Sequence, residues 1–341
     1  MKHLAVIVML VLLASGMVRA GVVMFPQPWR EGGANMREMI NDPDGWKESR
    51  AGVDTIGYWP WLLELYHPAE EQQLFFGRLK EWDKKLDFEV PVVKGYEWTQ
   101  TKAPLEAVAA YRFYMAQDRQ FRKNGMEKVD TFSFDEPVYA ARVVLPSQIA
   151  EGKPEFPGFR LSEDPKTYID YACRQTALFM KLMQKEYPDA RYVDIEPYPG
   201  LSLEELKYTA DALQRECEKL RIKEPDALRI EIEWSTVEAG TKEGSWQDIR
   251  KLCDHVRSKG MEFSFIYWAA DKALIDPLGV ELPLQWYWGV MHNLSAARIA
   301  GIVPDEFVYE SWIHMPNRFG PETDNTTYTG CLRDWLSMIG K

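Results

Sequence analysis

Histidine is scarce in this chain, with five in 341 residues, and no His-Glu-x-x-His pair occurs, which speaks against a His-rich metal hydrolase. A glycine-rich dinucleotide turn, a phosphate-cradling P-loop and a Gly-x-Ser-x-Gly nucleophile elbow are all absent. No cofactor and no metal are therefore expected. The four cysteines, Cys173, Cys217, Cys253 and Cys331, stand far apart in segments that read as helix. Their spacing fits neither a disulfide scaffold nor a metal knot, so buried core thiols are expected, with a Cys217–Cys253 bridge as the alternative. Basic residues are outnumbered, 41 Lys and Arg against 52 Asp and Glu. A surface that acidic argues against a nucleic-acid partner, whose phosphates call for basic patches.

Long apolar runs are also missing, apart from one. Met1-Lys2-His3 gives a short basic opening, Leu4 to Leu13 is an unbroken apolar run of ten, and Val18 and Ala20 occupy small-residue cleavage positions. The pattern predicts a secretory signal peptide over residues 1–20. Ten apolar residues fall short of the roughly 20 needed to span a bilayer. A secreted or periplasmic mature chain, 21–341, is expected, with no membrane contact after cleavage. Removing Lys2 and Arg19 leaves 39 basic against 52 acidic side chains, a net charge of −13. The oligomeric state is not legible.

What is present is a regular alternation. Strands are predicted near Val22–Trp29, Thr55–Pro60, Phe88–Trp98, Val129–Asp135, Arg191–Glu196, Leu228–Trp234, Glu262–Trp268 and Glu306–Trp312. Amphipathic segments lie between them. Ser202-Leu203-Glu204-Glu205 reads as a capping box opening a helix over 203–220, and Ser245 opens one over 247–258 that Gly260 closes. A last helix is expected over 328–339. Eight strand–helix repeats predict an α/β fold, a (β/α)8 barrel in a single domain, with a doubly wound open sheet as the alternative.

In such a barrel the active site forms where the strands end. Those ends are acidic and aromatic: Trp59 and Trp61, Glu97-Trp98, Asp135-Glu136, Asp194 and Glu196, Glu233-Trp234, Tyr267-Trp268, and Glu310 with Trp312. Carboxylates can protonate a glycosidic oxygen or stabilise charge at a sugar ring, and indole faces cover the apolar faces of sugars. A carbohydrate substrate is the expected partner. Asp194 and Glu196 lie two apart and share one strand face; inward they would serve the site, outward they would meet the helices. Glu231 and Glu233 raise the same choice, with Glu231 deeper in its strand. The proline-rich connection over 137–165 and those over 271–283 and 313–327 are long enough to form binding walls. They bring Asp271, His314, Asn317 and Arg318 into consideration.

The stretch Phe132-Ser-Phe-Asp-Glu-Pro137 resembles the fourth-strand ending of retaining glycoside hydrolases, where a large clan carries Asn-Glu-Pro. Enzymes related to the β-N-acetylgalactosaminidases, which use a substrate acetamido group as nucleophile, carry Asp-Glu there. The resemblance implies a glycoside hydrolase with Glu136 as general acid and Asp135 orienting an acetamido group or a neighbouring side chain. That clan's partner carboxylate ends strand seven, where this chain has Tyr267-Trp268. The second carboxylate is therefore sought among Glu196, Glu233 and Glu310, with Glu310 ahead. A separation of about 5–5.5 Å from Glu136 would imply retention of configuration and about 6.5–9.5 Å inversion. A non-catalytic carbohydrate-binding barrel and a polysaccharide lyase are the other classes, and the acid-rich rim disfavours the lyase.

Overall fold

A computed structural model of the chain describes residues 20–28, 32–94, 105–150, 161–239, 244–268, 282–313 and 315–341. Its centre is a closed barrel of eight parallel strands in sequence order: β1 (Gly21–Phe25), β2 (Thr55–Tyr58), β3 (Lys85–Val90), β4 (Thr131–Asp135), β5 (Arg191–Tyr198), β6 (Ala227–Ile232), β7 (Glu262–Tyr267) and β8 (Glu306–Glu310). Strand β8 pairs with β1 from Gly21 opposite Glu306 to Phe25 opposite Glu310, which closes the ring. The open-sheet alternative is thereby excluded. Residues 1–19 of the expected signal segment, 1–20, lie outside the described residues. No helix among the described residues is long and apolar enough to cross a membrane.

Strand positions follow the sequence reading except at β3. That strand begins at Lys85 and stops at Val90, because Pro91 has no N–H to continue the ladder. Its terminal acid is thus Glu89, while Glu97 and Trp98 lie outside the described residues. The capping box at Ser202 forms as expected, with the Ser202 side chain and Glu205 each accepting the other's backbone N–H. The connection after β4 also differs from an irregular wall. Pro137–Tyr139, Ala140–Val144 and Leu145–Ala150 make a continuous helical run with a π turn at its centre. Ala140 and Ala141 are buried where the run packs against the neighbouring helix Pro165–Glu186, and Leu145 is buried after them.

Alternation along the strands sorts the side chains into two sets. The outward set is aromatic: Phe132 and Phe134 meet Tyr187 and Phe179, and Tyr267, Phe307 and Tyr309 surround Trp335. The inward set is unusual for a barrel, whose layers are ordinarily branched aliphatics. Arg229 of β6, fully buried, donates to Asp87 of β3 and Glu306 of β8 at 2.9 Å each, and to Ser264 of β7 at 3.1 Å. Ser133 of β4 donates to Asp87 at 2.8 Å, so one polar network ties five strands together. Against the cost of burial, the Arg229 and Arg191 guanidiniums hold Glu306 down to about 2. Above this layer the Phe25 ring fills the space beside Gly57, where an added Cβ would stand 2.3 Å from the ring.

All four cysteines are buried in helices as free thiols, so the Cys217–Cys253 bridge does not form. Because Asp87 would be left as a buried carboxylate without its cation and Glu306 with Arg191 alone, replacing Arg229 by Met should destabilise the fold by about 3–5 kcal/mol. Chemical denaturation of the variant beside the parent checks this; a loss under about 1 kcal/mol would show that the network contributes little.

Candidate active site

The inward residues at the C-terminal strand ends enclose a cleft of about 340 Å³ lined by Pro28, Trp59, Trp61, Leu62, Glu89, Lys94, Asp135, Glu136, Ile195, Glu231, Ile266, Glu310 and Trp312. Strands β3, β4, β6 and β8 supply its acids, and the barrel closure brings them together. A larger hollow of about 880 Å³ lies at the opposite end, among the strand starts. Most of its charges are paired with one another, Lys80 with Glu127, Lys128 with Asp130, Lys341 with Asp54 and Arg191 with Glu306. That end of a barrel serves stability rather than chemistry.

Lys94 is the cation of the cleft. Its ammonium donates to Asp135 Oδ1 at 2.8 Å and Glu136 Oε2 at 2.7 Å, and all three side chains are largely buried. The Trp59 indole donates to Glu89 Oε1 at 2.7 Å and packs on Phe25. Glu310 is 4% exposed, and its Oε2 has no hydrogen-bond partner among the described residues. Burial, opposed by Arg229 in the layer beneath and reinforced by Asp135, Asp87 and Glu136, pushes Glu310 up to about 8. Burial also raises Glu89, with Asp135 and Glu310 adding to it, and raises Glu231, with Glu136 and Glu310 adding to it. One cleft therefore holds an ion-paired Glu136 and a Glu310 that keeps its proton at neutral pH.

Glu136 sits at φ 46°, ψ 49°, a left-handed conformation costing a residue with a Cβ about 1–3 kcal/mol. The surroundings enforce it. Pro137 fixes the next φ, the Glu136 carbonyl accepts from Ala140, and the Glu196 carboxyl accepts the backbone N–H groups of Val138 at 2.7 Å and Tyr139 at 3.0 Å. Glu196 is thus a buried clamp on the turn that carries Glu136, and it faces away from the cleft. Burial and the adjacent Asp194 raise it, against the pull of those two donors.

The structure therefore separates the sequence candidates. Asp135, Glu136, Glu310, Trp59, Trp61 and Trp312 come together on the cleft. Asp194 and Glu196 take the outward alternative: both lie on the barrel face covered by helix Pro165–Glu186, where they raise the Cys173 thiol. Glu233 follows the end of β6 and does not line the cleft; its backbone N–H donates to Tyr198. Tyr267 points outward into the aromatic core. Trp234 and Trp268 are buried behind the rim, the Trp234 indole donating to the Trp268 carbonyl at 3.1 Å and Trp268 packing on Trp312 at 4.8 Å. Asp271 and His314 lie outside the described residues. Arg318 is engaged by Asp324 and Thr326.

The sequence reading missed Glu89 and Lys94 and placed the β6 acid two residues too far along. Period two carried from Arg229 to Glu231 marks Glu231 as inward, and Pro91 marks Glu89 as the last inward residue of β3. Lys94 lies beyond its strand and had no such signal.

No family model and no curated protein matches the chain. Among solved structures it is similar to a GH10 protein from Paenibacillus barcinonensis, with TM-score 0.49 and 10% identity over 92% of this chain and 94% of that one. A psychrophilic glycoside hydrolase family 10 endo-β-1,4-xylanase gives 0.47 and 10% over 92% and 96%. A D-psicose 3-epimerase gives 0.46 and 10% over 93% and 97%. The barrel assignment rests on the closed eight-strand sheet itself, and these likenesses add no statement about activity.

Two consequences are measurable. Replacing Glu196 by Gln removes an acceptor from one of two buried backbone N–H groups, which should cost about 1–3 kcal/mol of stability and lower kcat more than it changes KM. An unchanged kcat would show that the turn holds Glu136 without it. Glu231 has its pKa raised on folding, so it adds no penalty below its unfolded value of about 4.3 and a growing one as pH rises above it. Glu231→Gln should therefore raise Tm at pH 8 and leave it unchanged at pH 4; no gain at pH 8 would show that the site bears no such strain.

Proposed function

We propose that the protein is a glycoside hydrolase, exported to an extracellular or periplasmic space, in which Glu310 is the general acid and Glu136 the partner carboxylate. The observation that carries this reading is the contrast between two acids on one aromatic-lined cleft: Glu310, without a partner for Oε2, keeps its proton, while Glu136 is ion-paired with Lys94. Pairs of carboxyls whose environments differ in this way divide the acid and base roles of glycosidic cleavage. This exchanges the roles implied by the strand-four resemblance, because proton occupancy follows burial and partners rather than strand number.

In the proposed reaction the Glu310 carboxyl donates its proton to the departing glycosidic oxygen. Glu136 supports the cationic sugar centre, either as nucleophile or as base toward water. Lys94 holds Asp135 and Glu136 in place. Trp59, Trp61 and Trp312 offer ring faces to the sugar, and Trp312, 40% exposed, stands at the lip where a further unit would stack.

The test is a hydrolysis screen across oligosaccharides by release of reducing ends. Glu310→Gln and Glu136→Gln should each lower kcat by at least about a hundredfold. The parent's kcat/KM should fall on the alkaline side with an apparent pKa of about 8 that belongs to the interacting acids as a group, and Glu310→Gln should lose that limb. Near-normal turnover in both variants would remove the assignment.

A further inference from the structure

The cleft holds more carboxyl groups than the pair that glycosidic cleavage requires. Five carboxyl groups line it, on Glu89, Asp135, Glu136, Glu231 and Glu310, and Lys94 is the one cation among its described lining residues. Lys94 is already bound by Asp135 and Glu136, and Glu89 takes the Trp59 indole N–H. Glu231 makes no hydrogen bond among the described residues, and the buried Oε2 of Glu310 has none. Two acids on the cleft are therefore left without hydrogen-bond partners by the described residues.

Burial alone leaves such acids protonated, and a neutral sugar would let them remain so. A positively charged substrate changes the balance: an ammonium desolvated with a carboxylate offsets the charge that burial penalises. Position narrows the choice further. The charges felt most strongly by Glu231 are those of Glu136 and Glu310, the pair proposed to flank the scissile bond. A substituent on the ring carbon next to the anomeric carbon is the one that reaches a third acid beside that pair.

Resting on the glycoside hydrolase reading above, we propose that the substrate is a glycan of 2-amino-2-deoxy sugars with free amines, whose ammonium is taken by Glu231. The tryptophan faces cover the sugar rings and favour a nearby cation. The excess of acidic residues in the chain draws a polycationic glycan towards the cleft. An N-acetylated unit is neutral at the same carbon and gives Glu231 no charge partner.

The experiment compares tetramers of glucosamine, N-acetylglucosamine, β-1,4-glucose and β-1,4-xylose, by reducing-end release with the parent and by calorimetry with Glu136→Gln. The glucosamine tetramer should be hydrolysed with kcat/KM at least about tenfold above the others. Its binding should release protons, seen as a heat that varies with the buffer's ionisation enthalpy, because Glu231 ionises as the ammonium arrives. Glu231→Gln should abolish both the preference and the proton release. Neutral tetramers cleaved equally well, with activity lost in Glu136→Gln, would overturn the amino-sugar assignment and leave the hydrolase reading standing. Binding of the glucosamine tetramer with proton release but no cleavage of any tetramer would keep the assignment and overturn the hydrolase reading. Neither binding nor cleavage would overturn both. Cleavage of neutral tetramers only with added calcium, abolished by chelation, would give the acids to a metal and overturn the amino-sugar proposal.

Discussion

The Arg229 guanidinium is the constraint on which the barrel depends. It is fully buried between Asp87 and Glu306, and through Ser264 and Ser133 its influence extends to five of the eight strands. A barrel interior built of branched aliphatics packs without needing exact partners, whereas a buried cation accepts only one register of its acids. A slip of one residue in β3 or β8 would turn Asp87 or Glu306 to the helix side and strip the guanidinium of one of its two buried acids. The network thus specifies alignment as much as it adds stability. It also forms the floor of the acidic cleft, where Arg229 partly offsets the burial of Glu310.

The layer above shows how one fold keeps chemically similar groups in different states. Glu136, Glu310 and Glu196 are glutamates at the ends of neighbouring or nearby strands, yet one is ion-paired, one has an oxygen without a partner among the described residues and one clamps two backbone N–H groups. Strand parity separates Glu196 from Glu310, the left-handed turn after β4 brings Glu136 to the cleft although its parity matches that of Glu196, and the reach of Lys94 separates Glu136 from Glu310. The left-handed backbone at Glu136 follows from the same arrangement, since Pro137 and Glu196 together fix the turn from which the side chain projects.

Most of the barrel was legible because its signals are local. Strands β4, β5, β7 and β8 show apolar β-forming runs that start where the structure starts them or within two residues, and the helix caps at Ser202 and Ser245 announce themselves. The candidate site was legible only where a residue is inward and terminal, as with Asp135 and Glu310. Asp194 and Glu196 failed because spacing shows that two residues share a face but not which face, and that is decided by the register with β4 and β6. Glu89 was hidden by carrying β3 past Pro91. Lys94 was hidden because its role depends on Asp135 and Glu136, 41 and 42 residues away in sequence.

The four thiols bear on how the chain would survive the export proposed above. Cys173, Cys217, Cys253 and Cys331 are each sealed beneath a helix, and burial raises every one of them, so the reactive thiolate is suppressed in the finished fold. The unfolded chain has no such protection, and in an oxidising compartment any pair of its thiols can cross-link. In such a compartment the race between helix docking and oxidation would decide the yield of folded protein, and a reductant would matter during maturation and not afterwards.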